Sequence, residues 1–199
     1  HYIQMVNSAF RIFSKTGGPQ TLPLKTSTLW LGQAGYCANE KGYDPVVRYD
    51  EQAEQWLLSQ WVQSDNGTQT FECIAVSKTS DPESDGWYLY MIPSVDPVTQ
   101  KGFLMDYPKI GIWPDTYFMT TQRGFPSWGQ DVWALDRNAM LAGNGFTPVH
   151  FFIPEPTLFL MPADVDGTPP VAGSPGLFAR IVDGERFGGL DRIEIFSMV

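Results

Sequence analysis

The sequence predicts an all-β fold: a β-propeller of about three four-stranded blades plus strands of a neighbour. Three observations carry that expectation. First, two aspartate-led segments share one plan, a short apolar strand, an acidic turn, then an aromatic-rich strand ending in Gln. They are Asp44-Pro-Val-Val-Arg-Tyr-Asp50 running into Trp56-Leu-Leu-Ser-Gln60, and Asp106-Tyr-Pro-Lys-Ile-Gly-Ile-Trp-Pro-Asp115 running into Tyr117-Phe-Met-Thr-Thr-Gln122. Second, Asp44 and Asp106 stand 62 positions apart, and a third acidic segment, Ala163-Asp-Val-Asp-Gly167, places Asp164 58 positions further on. A strand-filled recurrence near this length marks a repeated sheet unit. Third, aromatics make up 14% of the 199 residues, and 19 Gly and 16 Pro interrupt the chain too often for long helices. Short strands joined by many turns are what such a composition supports.

The elements follow in order. Residues 2–6 and 9–14 read as two strands, followed by a turn at 15–19 and, beyond Trp30, a Gly-rich loop holding Cys37. The first unit is a meander with strands at 46–49, 56–62, 71–78 and 87–92 and polar turns at 50–55 and 80–86. The second repeats it at 109–113, 117–121, 132–136 and 149–153. Its insertion, Asp136-Arg-Asn-Ala-Met-Leu-Ala-Gly143, has a capping Asp, good helix formers and a terminating Gly, and so predicts one or two helical turns. The third begins at Asp164, carries a Pro-rich loop over 167–175, and ends in strands at 177–182 and 192–198. The units are thus 1–43, 44–105, 106–163 and 164–199 of a single propeller domain. A β-sandwich explains the strands and turns equally well, but not the repeated aspartate.

A formal charge of −9, with 13 scattered Lys and Arg, excludes a nucleic-acid partner, since a phosphate backbone needs a basic stripe. The charge reads as a solubilising acidic surface or, more sharply, as a source of divalent-cation ligands. No apolar run approaches the ~18 to 20 residues of a membrane span. Both ends of the sequence are apolar and strand-forming, at 2–6 and 192–199. Bare strands are a pairing hazard, so the chain is expected to be completed by the remainder of a longer polypeptide or by another subunit.

Several segments resemble a group of secreted bacterial β-propeller proteins. They are Tyr2-Ile-Gln-Met-Val-Asn7, the two aspartate-led segments, Cys73-Ile-Ala-Val-Ser77, Arg137-Asn-Ala-Met-Leu-Ala-Gly143 and Pro162-Ala-Asp-Val-Asp-Gly167. The resemblance implies a large extracellular or cell-surface protein, often joined to fibronectin-type or immunoglobulin-like modules. It implies no catalytic mechanism. In that exterior setting a Cys37–Cys73 disulfide is favoured over two buried thiols, tying the loop ahead of the first unit to that unit's third strand.

Candidate chemistry centres on the aspartates. Inner strands of a propeller line a channel, so Asp44, Asp106 and Asp164 could converge there as a ring of carboxylates needing a cation such as Ca²⁺. Asp166 adds a fourth oxygen donor, although the closing Glu of a calcium loop is absent. The competing reading is that each Asp caps its own turn by accepting backbone N–H groups. A glycoside hydrolase would use Asp44 and Asp106 as base and helper and still need an acid. Glu72, Glu155 and Glu194 fall on outer strands or loops in this reading. His150 lies in an apolar strand and reads as a core or edge residue. No nucleophile elbow, phosphate loop or Cys–His pair occurs. Most of the seven Trp residues serve packing, but Trp128, in a Pro-Ser/Gly loop, is a candidate ligand platform for a carbohydrate or a surface protein. The expectation is a structural or binding module at the cell exterior, with a carbohydrate-active enzyme as the alternative.

Overall fold

The computed structural model describes every residue except 40, 125–127, 155–158 and 172. Its fourteen described strands form four antiparallel sheets, each a meander in which consecutive strands pair. The first sheet holds β1 (Tyr2–Val6), β2 (Ala9–Phe13) and β3 (Leu24–Lys25). The second holds β4 (Tyr43–Asp50), β5 (Gln55–Gln63), β6 (Thr70–Ser77) and β7 (Trp87–Pro93). The third holds β8 (Met105–Ile112), β9 (Thr116–Arg123), β10 (Gly129–Asp136) and β11 (Val149–Ile153). The fourth holds β12 (Met161–Pro162), β13 (Gly176–Val182) and β14 (Arg192–Met198).

Helices are brief: a 3-10 turn at Thr26–Trp30, then α1 (Tyr36–Asn39), α2 (Arg137–Leu141) and α3 (Gly184–Phe187). The capping Asp read from the sequence starts α2, where the Asp136 carboxylate accepts the Ala139 N–H at 2.9 Å. None of the described helices is long and apolar enough to cross a membrane.

The chain divides into two compact units. Unit 1 is His1–Val95 with Gln100–Leu104. In it, Phe10 and Ile12 of β2 pack with Leu58 and Val62 of β5 and with Phe71, Cys73 and Ala75 of β6. Cys37 joins Cys73 in a disulfide with Cα atoms 5.8 Å apart, as expected, and both sit inside this core. Unit 2 is Asp96–Thr99 with Met105–Val199. Its sheets meet face to face through Trp113, Phe118 and Val132 on one side and Phe178 on the other. The Phe118 and Phe178 rings contact edge to face at 5.2 Å. Two glycines let the backbones approach. A Cβ on Gly176 would strike the Phe118 ring, and one on Gly111 would strike the Ala163 carbonyl.

The repeat is real but offset by one residue from its reading in the sequence. Along β4 and β5 the pairing runs Tyr43↔Trp61, then Val46↔Ser59; along β8 and β9 it runs Asp106↔Gln122, then Lys109↔Thr120. Three steps oppose two in both, so each first strand carries a bulge near its start. The equivalent pairs are Asp44-Pro45 and Tyr107-Pro108, and both bulge residues ahead of the prolines have positive φ, 44° at Asp44 and 56° at Tyr107. Asp44 therefore corresponds to Tyr107, not to Asp106. The fourth sheet departs as well: its first strand, β12, precedes Asp164 rather than following it.

Candidate functional site

Each predicted acidic residue has a definite place. Asp44 sits in the bulge of β4, where its backbone N–H donates to Asn7 Oδ1 at 3.1 Å and its carboxylate accepts Trp61 Nε1–H at 3.2 Å. Tyr43 stacks on the same indole with centroids 4.7 Å apart. Asp106 stands at the start of β8 and accepts the Tyr107 N–H at 2.9 Å. Asp164 accepts the Ile112 N–H at 2.7 Å, at the far end of that strand. Six residues of extended chain separate Asp106 from Ile112, roughly 20 Å of strand, so these two carboxylates do not share a site. Asp166 lies two residues on, in the loop beyond β12. Among the described residues, the only trio of groups close enough to hold a metal lies elsewhere: His1, Asp81 and Glu83.

The candidate acids are placed as firmly. Glu72 is fully buried on β6. Glu194 accepts both Arg180 and Arg192, at 2.7 Å each, and these bonds hold its carboxyl below the usual carboxylate range. Glu155 lies outside the described residues.

The most developed polar site is one that sequence reading missed. It surrounds Asp131 in the middle of β10, fully shielded from solvent. Arg123 lies opposite Gly129, diagonal to Asp131 across the ladder, a separation long side chains span. Its guanidinium forks onto the carboxylate, with Nε 3.0 Å from Oδ2 and the second bond to Oδ1. The same guanidinium reaches Asp96 and lies over the Phe152 ring at 3.8 Å from its centroid. Burial opposes the charge on Arg123, but the bonds to Asp131 and Asp96 outweigh it and raise its pKa. His150 completes the set from β11, with Nε2 2.6 Å from Asp131 Oδ1. A carboxylate only accepts, so Nε2 carries the proton. The imidazole lies parallel to the Trp133 indole at 3.7 Å.

In this buried assembly Arg123 binds both oxygens of Asp131 and His150 binds one, and the carboxylate is fully shielded from solvent. A sequence signal for it existed: an acid directly ahead of the apolar run Val132-Trp133-Ala134-Leu135, within a strand buried on both faces, had to find a buried cation.

Trp128, the predicted platform, is 59% exposed just ahead of β10, while its neighbours Pro126 and Ser127 lie outside the described residues. Unit 2 also has a hollow of about 440 Å³ between its two sheets, lined by Trp113, Phe118 and Phe151. No family model, curated protein or solved structure matches this chain.

Proposed function

We propose that the chain is a β-propeller module of the cell exterior with a structural or binding role and no catalysis. The observation that carries this reading is the use made of the repeated segments. Their carboxylates build corners: Asp44 holds the Trp61 indole, Asp50 accepts the Gln52 and Ala53 N–H groups, and Asp164 ties the end of β8. A hydrolase needs an acid of raised pKa close to its base, and these groups instead accept the Trp61 indole or backbone N–H groups. The separation of Asp106 from Asp164 likewise favours corner capping over one shared Ca²⁺ site.

Four consecutive meanders, two of them with equivalent bulges, support the blade reading. The Cys37–Cys73 disulfide fits an oxidising compartment. Exposed Trp128 offers the flat apolar surface on which a sugar ring or a protein surface docks.

Retention on immobilised extracellular polymers tests the binding role: a β-linked glucan, chitin, an acidic polyuronate and collagen. The expected outcome is saturable binding to at least one, weakened roughly tenfold by Trp128→Ala, as befits an aromatic anchor. Absence of saturable binding to all four would remove the support for a binding role at these surfaces.

A further inference from the structure

Among the described residues, the fourth sheet is covered on one face only. Phe178 and Phe196 turn inward to the unit 2 core. The alternate residues turn outward, and in register they form an apolar surface that ends at one serine: Ile181 opposite Ile193, Ala179 opposite Ile195, Leu177 opposite Ser197. Ile181 is 73% exposed, Ile193 68% and Ile195 66%. Beside them, Met161, Phe187 and Phe159 help line a hollow of about 510 Å³. Contiguous β-branched surface of this kind marks an interface, and it adjoins the strand β14, an edge of its sheet.

A second face of the chain is open in the same sense. In the first sheet Ile3, Met5, Phe10 and Ile12 turn to the unit 1 core. Tyr2, Val6 and Phe13 share the opposite face with Arg11 and Lys25, by the pairings Tyr2↔Phe13, Gln4↔Arg11 and Ala9↔Lys25. Tyr2 and Val6 are 57% and 56% exposed.

The segments that build the two faces carry opposite formal charge. Residues 1–39 hold Arg11, Lys15 and Lys25 and no acid, a formal +3, in a chain whose total is −9. Residues 159–199 hold six acids (Asp164, Asp166, Asp183, Glu185, Asp191, Glu194) against three arginines, a formal −3. Two copies of the fourth sheet would meet with like charge. A fourth sheet and a first sheet meet with opposite charge, with Tyr2 and Phe13 as the large rings available to fill the hollow. Complementary potentials of this sort set orientation and register.

We infer that this chain associates head to tail with a second copy of itself, the open face of the fourth sheet of one molecule covering the open face of the first sheet of the next. The contact is heterologous, so every open assembly keeps one unused face of each kind at its two ends, and it grows as a filament unless a ring closes. The inference deepens the blade reading by naming what covers the bare sheets, and it needs no ligand at Trp128.

Sedimentation velocity of the purified chain up to about 100 μM, where weak pairs populate, tests it. The wild type is expected to show species growing with concentration and shrinking at high salt. Ile193→Glu disables one face and Val6→Glu the other, each weakening association about 100-fold as a disrupted interface centre does. Each variant alone is then monomeric, with an unchanged circular-dichroism spectrum. Their equimolar mixture forms a dimer and nothing larger, through the one intact face on each. A monomeric wild type at every concentration overturns the inference and points to another polypeptide as the cover. So does a monomeric mixture, or self-association that survives in either variant. Polymer retention at Trp128 is read separately, so loss of one does not imply loss of the other.

Discussion

Pro45 and Pro108 occupy equivalent places in successive sheets, each closing a bulge in which two residues oppose one. The residue before each is held at positive φ, and the first of them is Asp44. That backbone position suits Asp, Asn or Gly.

Asp44→Asn is therefore expected to be nearly neutral, within about 0.5 kcal/mol, since surface changes that keep the local geometry cost little. Asp44→Ala loses the Trp61 acceptor, about 1 kcal/mol, and adds about 1 kcal/mol for a left-handed Ala. Urea midpoints of the two variants check this. Equal losses would mean that the corner does not depend on the Asp side chain.

The Asp131 network gives a larger expected effect. Asp131→Ala leaves the buried Arg123 guanidinium with Asp96 as its counter-ion and takes the acceptor from His150, and should cost about 3 kcal/mol, lowering Tm by roughly 10 °C in a chain of this size. His150→Phe keeps the stack on Trp133 and leaves Asp131 bound to Arg123, so its loss should be smaller. Calorimetry of both variants reads the difference.

Asp96 sets a pH dependence. It accepts the Thr99 N–H at 2.7 Å and also binds Arg123, and both hold its carboxyl well below the usual range. A carboxyl depressed in the folded state contributes stability that is present above its unfolded pKa, near 4, and lost as pH falls through the folded value. Thermal melts of the wild type should therefore decline on acidification below about pH 5. Asp96→Asn should melt lower at neutral pH and decline less with acid. Parallel pH curves for the two proteins would contradict the assignment.

The disulfide closes a separation of 36 residues. The chain-entropy relation gives about 4 kcal/mol of stabilisation for a loop of that length. Reduction, or paired Cys37→Ser and Cys73→Ser substitution, should lower the denaturant midpoint of unit 1 accordingly.

Much of the architecture was legible in the residues. Strands such as Trp56–Val62 and Phe71–Ser77 are apolar runs bounded by polar turns, and the Asp136 cap announced α2. The disulfide followed from there being only two cysteines, in a chain read as extracellular. The bulge offset was not legible, because Asp-Pro and Asp-Tyr-Pro look alike until the partner strand fixes which residue is extra. The Asp131 network depends on a diagonal contact across β9, β10 and β11 that strand register alone creates. The open face of the fourth sheet was hidden for a different reason. Leu177 and Ile181 alternate with Phe178 and Val182, so both sides of β13 read as core, and only packing shows that one is bare.

The central claim is that the aspartates of this module support its corners and do not turn over substrate. Incubating the purified chain for a day with the same panel of glucan, chitin and polyuronate, and measuring released reducing ends, tests it most directly. Release is expected to be no greater than in the protein-free blank, for the wild type and for Asp44→Asn and Asp106→Asn alike. Release above the blank that disappears in Asp106→Asn would contradict it and establish a glycoside hydrolase.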